Sequence, residues 1–155
     1  MLKRMLVAGA VMMTCGVSSV RAQGSIAGNW VMEFDTGIRN VNGVEESLGK
    51  RQARLVLAVQ GDSITGTWQP LADSAGRLGA KVRLHGKLAA GKATLETEPV
   101  ARTVRINDDE REVKVVTSYA FAIRGDALDG TMTNRALDGS FEGNPRPFLA
   151  KREKM

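Results

Sequence analysis

Apolar and polar residues alternate with a period of two along most of the chain. Trp30, Met32 and Phe34 alternate with Asn29, Val31, Glu33 and Asp35, and Leu55, Leu57 and Val59 with Arg54, Val56 and Ala58. Further on, Val82, Leu84 and Leu88 are interleaved with Lys81, Arg83, His85 and Lys87. Val113, Val115, Tyr119, Phe121 and Ile123 are interleaved with Lys114, Ser118 and Arg124. Strict alternation predicts strands with one buried and one wet face, the habit of antiparallel sheets. No long stretch carries a helical period, and Val44 to Lys50 is compatible with at most a single helical turn. Gly37 to Lys50 and Leu71 to Gly79 show no clear periodicity and are expected to be loops.

Turn chemistry joins these strands. Gly61-Asp62 and Gly125-Asp126 lie between alternating runs, where Gly at the first central position suits a two-residue type II′ hairpin. Asn107-Asp108-Asp109-Glu110 predicts another tight connection, from a strand over Ala101 to Ile106 into the long run that follows. Asn144-Pro145-Arg146-Pro147 reads as a rigid corner before the last strand. The pattern also repeats. Leu57 to Pro70, Gly86 to Pro99 and Phe121 to Asn134 each combine a strand end, a turn led by Gly61, Gly91 or Gly125, and a Thr six positions after that Gly. A repeat of this kind can mean a solenoid or propeller, but here each unit is one β-hairpin. About four hairpins predict an all-β fold, a single antiparallel up-and-down meander β-barrel of about eight to nine strands.

Six aromatic residues fit the inward register: Trp30, Phe34, Trp68, Tyr119, Phe121 and Phe141, with Phe148 expected to join them. Gly66, Gly86, Gly130 and Gly139 fall in the same phase. Inward glycines let a strand bend at a barrel corner, and they also leave space. They therefore have two readings, relief of crowding or room for a ligand.

Composition changes the picture at the N-terminus. Lys3 and Arg4 precede a mostly apolar run from Met5 to Cys15, and Val20-Arg21-Ala22 is a small-x-small cleavage site. The expectation is a cleavable signal peptide over residues 1–22 and a barrel domain over 23–155, secreted or periplasmic. The apolar run is shorter than the roughly 20 residues of a membrane span, so no span is expected in the mature form. Removing the segment takes away three cations (Lys3, Arg4 and Arg21) and no acid, lowering the net charge from +5 to +2. A near-balanced surface argues against a nucleic-acid partner. The single cysteine, Cys15, leaves too, so stability must come from a core rather than from disulfides.

Gly28-Asn29-Trp30 resembles the G-x-W motif of lipocalins and their calycin relatives. That resemblance implies a Trp closing one end of the barrel against a basic side chain on the last strand. The matching residues are Gly28, Trp30 and Arg152, with Lys151 as Arg152's neighbour. The chain is also similar to small secreted bacterial proteins that begin I-A-G-x-W and repeat G-D-x-L-x-G-T. Ile26 to Trp30, Gly61 to Thr67 and Gly125 to Thr131 carry that likeness.

Catalytic chemistry is sparse. One His and no mature Cys argue against a zinc or copper site within one chain, and no cofactor is expected. His85 shares a polar face with Lys81, Arg83 and Lys87 and reads as a surface residue. Asp108, Asp109, Glu110 and Glu112 lack the spaced ligands and turn glycine of a calcium loop. No G-x-S-x-G occurs, and the inward polar set offers little beyond Thr97, Thr117 and Tyr119. Arg124-Gly125-Asp126 spells an adhesion tripeptide, yet the hairpin turn already explains those residues. The expectation is a non-enzymatic barrel binding a small apolar molecule or lipid. Trp30, Leu57, Trp68, Leu84, Tyr119, Phe121 and Met132 would form the cavity. The alternative is a filled barrel acting through its loops or outer face as a protein-interaction or inhibitor module, its protein partner unknown.

Overall fold

The computed structural model describes residues 25–36, 38–42, 44–106 and 108–154. The expected signal segment, residues 1–22, lies outside them. The described residues form eleven strands: β1 (Gly28–Asp35), β2 (Ile38–Val41), β3 (Val44–Ser47), β4 (Lys50–Gln60), β5 (Ser63–Pro70), β6 (Val82–Ala89), β7 (Lys92–Thr97), β8 (Val100–Ile106), β9 (Asp109–Arg124), β10 (Ala127–Ala136) and β11 (Arg146–Arg152). No helix occurs among the described residues. All pairings are antiparallel. β1, β4, β5, β6, β7, β9, β10 and β11 follow one another around a closed barrel, which β11 completes by pairing with β1. This is the predicted meander of eight strands, an architecture consistent with a calycin-like fold. β8 is a ninth strand, attached to the first half of β9. Closure leaves the eight barrel strands without free edges.

Two expectations are corrected between Gly37 and Lys50. The segment holds a β-hairpin, β2 with β3, instead of a loop, and Val44–Ser47 is extended rather than helical. Asn42 sits in the left-handed region (φ 52°) within the sequence Asn42-Gly43, the strongest short-range signal for a two-residue hairpin. The hairpin forms a two-stranded sheet separate from that of the barrel.

The three repeats are the hairpins β4–β5, β6–β7 and β9–β10. Their turns differ from expectation in one respect. Gly61 and Gly125 lead their turns with positive φ, but in the middle copy Ala90 leads and Gly91 follows, with φ of 50° and 75°. Positive φ at both central positions belongs to type I′ rather than II′.

One continuous core fills the barrel. Trp30, Met32, Leu55, Ile64, Leu95 and Leu128 are its largest fully buried side chains. Phe148 sits within it, its ring 5.3 Å from Tyr119 and 5.5 Å from Phe121. Gly66, Gly86 and Gly130 face inward, but they leave no room. A Cβ on any of them would run into the carbonyl of the neighbouring strand, at Val56, Thr94 and Ala120 respectively. Relief of crowding is the reading that holds. Gly139 and Phe141 depart from the predicted register, because both lie in the connection between β10 and β11. Phe141 packs on a second, smaller core of Val104, Val113, Val115 and Ala136 beneath the β8–β9 arm.

Candidate binding site at the barrel mouth

The strand directions give the barrel two unlike ends. β1 begins, and β4, β6, β9 and β11 finish, at the end where the two-residue turns sit. The hairpin β2–β3, residues 71–81, the β7–β8 link and residues 137–145 all belong to the other end.

The first end is closed. Trp30 is fully buried, and its Nε1 donates to the Ile26 carbonyl at 2.9 Å. The Arg152 guanidinium lies 4.1 Å from the centre of the indole. Its Nη1 and Nη2 donate to the carbonyls of Ala27 (3.2 Å) and Ser25 (2.6 Å), so the charge is held while it covers the ring. Gly28 is needed for this arrangement. Its φ of 133° disfavours other residues, and a Cβ there would stand 2.8 Å from Nη1 of Arg152. Lys151 is exposed and opposite Val31, so Arg152 alone meets the ring.

The second end opens into a cavity of about 80 Å³. Met32, Phe34, Trp68, Val82, Tyr119 and Met132 give it an apolar wall. Phe34 and Trp68 meet edge-on, with ring centres 5.1 Å apart. The polar groups form an ordered set above that wall. The backbone N–H of Thr117 donates to Thr97 Oγ1 (3.0 Å), and the Thr117 hydroxyl donates to Asn134 Oδ1 (2.7 Å). That second bond commits the carbonyl side of the Asn134 amide and leaves its NH₂ group as the remaining donor. Trp68 Nε1 is buried and has no hydrogen-bond partner. Burial pushes the Tyr119 hydroxyl well above the usual tyrosine range, with the Arg102 guanidinium pulling in the opposite direction. Tyr119 is therefore neutral at physiological pH. Asp35, a carboxylate at the rim, is engaged by the Ser47 hydroxyl (2.6 Å) and by Arg146 (3.6 Å).

The residues expected to line one cavity fall into two groups. Trp68, Tyr119 and Met132 border the mouth. Trp30, Leu57, Leu84 and Phe121 belong to the packed core and do not line that cavity. Sequence reasoning missed Asn134 and Arg102. Asn134 was accessible to it, since it follows Met132 by two residues on β10 and shares its phase. Arg102 carried no such signal, because β8 stands outside the closed ring and its alternation refers to the arm.

A broader hollow of about 390 Å³ lies on the outer surface. Beside it, Thr65, His85, Glu96, Ser118 and Thr133 stand opposite one another in a row across five strands. The Ser118 hydroxyl donates to Glu96 Oε1 (3.0 Å), which Arg135 also approaches at 3.3 Å. Glu96 stands between His85 and Ser118, whereas a nucleophilic relay needs the imidazole in the middle. His85 is exposed, as its sequence phase implied. No family model, curated protein or solved structure matches this chain.

Proposed function

We propose that the protein is a non-enzymatic binding barrel of the cell envelope or extracellular space that takes a small molecule at its mouth. The observation that carries this reading is the unpartnered Trp68 Nε1, buried on a side chain that borders the opening, where Thr117 is already hydrogen-bonded to Asn134. A buried N–H without an acceptor costs roughly 1–3 kcal/mol, and a ligand or water acceptor at that point recovers it. The packed interior narrows the ligand class. Ligand pockets commonly run from about 300 Å³ upward, and the mouth offers about 80 Å³. A compound of few atoms, or the tip of a longer one, fits that space where a whole lipid does not. Kinship with lipocalins belongs to the same proposal, supported by the Gly28-x-Trp30 motif and its contact with Arg152. Export by residues 1–22 is part of it too, on the sequence pattern alone.

Native mass spectrometry of protein purified without denaturation, combined with a metabolite panel read by tryptophan fluorescence, tests the proposal. A bound small mass, or a spectral change abolished by Trp68→Phe, is expected. An apo mass together with no response across the panel overturns it. That outcome favours the second reading, an interaction module, for which the filled core and the outer hollow beside Glu96 and Ser118 speak.

A further inference from the structure

The polar groups at the mouth are unequal in kind. Trp68 Nε1 can only donate, and the Asn134 amide has its NH₂ side left over. The neutral Tyr119 hydroxyl is a further donor. Arg102 completes the set from β8. Its side chain borders the cavity, and no described carboxylate forms an ion pair with it. Asp35, which would oppose an anion, is already held by Ser47 and Arg146. Beside these donors the wall is apolar, formed by Met32, Val82 and Met132.

We propose that the mouth is a site for a short-chain monocarboxylate, its two oxygens taken by Arg102 and by the donors of Trp68 and Asn134, its alkyl tail against Met32, Val82 and Met132. The inference rests on the mouth being the binding site and names the ligand chemistry. A planar carboxylate offers two acceptors and a full charge, which matches a guanidinium with two neutral donors beside it. The small volume sets the tail length. A longer acid would have to displace the side chains of a close-packed core, and such cores resist added volume.

The chain contains two tryptophans, so its indole N–H region holds two NMR signals that Trp68→Phe assigns. Butyrate is titrated against its neutral isostere butyramide. The expected result is a saturable shift of the Trp68 signal with butyrate, at least tenfold weaker binding of butyramide, and a loss of about tenfold in butyrate affinity for Arg102→Gln. Arg102 is exposed, so that variant is expected to fold, and an unchanged Trp30 signal verifies it. Equal binding of the two compounds, or full affinity in Arg102→Gln, overturns the carboxylate assignment and leaves mouth binding standing. Silence to both, with a Trp68 response to another panel compound, overturns it in the same way. Silence to every compound overturns both readings.

Discussion

Ala90 leads its turn in the left-handed region with φ of 50°, where a Cβ crowds the following carbonyl. The twist of the β6–β7 hairpin requires this conformation, so the residue carries strain that Asn tolerates better. Ala90→Asn would reproduce the Asn-Gly pair found at Asn42-Gly43. It should stabilise the protein by roughly 0.5–1 kcal/mol, seen as a higher urea midpoint at unchanged slope; a lower midpoint contradicts the assignment. Tyr119 makes a second residue-scale prediction. Its hydroxyl titrates above the ordinary value in the folded state, so folding favours the protonated form. The stability it contributes is complete below the unfolded value of about 10 and is lost as pH rises beyond it. Tyr119 is the only tyrosine, so tyrosinate absorbance should appear together with alkaline unfolding. Ionisation near the ordinary value in a still-folded protein would refute its burial.

At the scale of elements, legibility followed burial. β1, β4, β6 and the second half of β9 each bury one face, and that requirement writes the alternation read from Trp30, Leu55, Val82 and Tyr119. β2 and β3 lie off the barrel, and their only local signal was Asn42-Gly43. Phe141 and Gly139 show the opposite error, an inward phase extended past the strand that generated it. The site was half visible for a related reason. Periodicity tells which face a residue occupies but not its depth along the barrel axis, so it could not separate Trp68 and Met132 at the mouth from Leu57 and Leu84 in the core. The β8–β9 arm has its own small core of Val104, Val113, Val115, Ala136 and Phe141, distinct from that of the barrel. Val113→Ala should therefore loosen the arm locally, by roughly 1–2 kcal/mol. Amide exchange should quicken over residues 100–116, while β4 and β5 keep their protection. Equal acceleration in both places would show that the arm and the barrel open as one unit.

Across the whole molecule, tight turns and the Trp30–Arg152 lid seal one end, and longer connections with a supplementary strand gather at the other. The filled core joins them as a rigid support, so binding at the mouth need not deform the lid. The two indoles report on the two ends. Trp30 Nε1 is hydrogen-bonded to Ile26 and shut beneath Arg152, while Trp68 Nε1 is buried without a partner on a side chain that borders the opening. Hydrogen exchange at these two N–H groups, measured before and after ligand addition, tests the arrangement most directly. Trp30 should exchange as slowly as the most protected barrel amides and be unaffected by ligand. Trp68 should exchange orders of magnitude faster and slow when the mouth is occupied. Equal exchange at both, or a ligand that protects Trp30 and leaves Trp68 unchanged, would contradict a barrel closed at one end and receptive at the other.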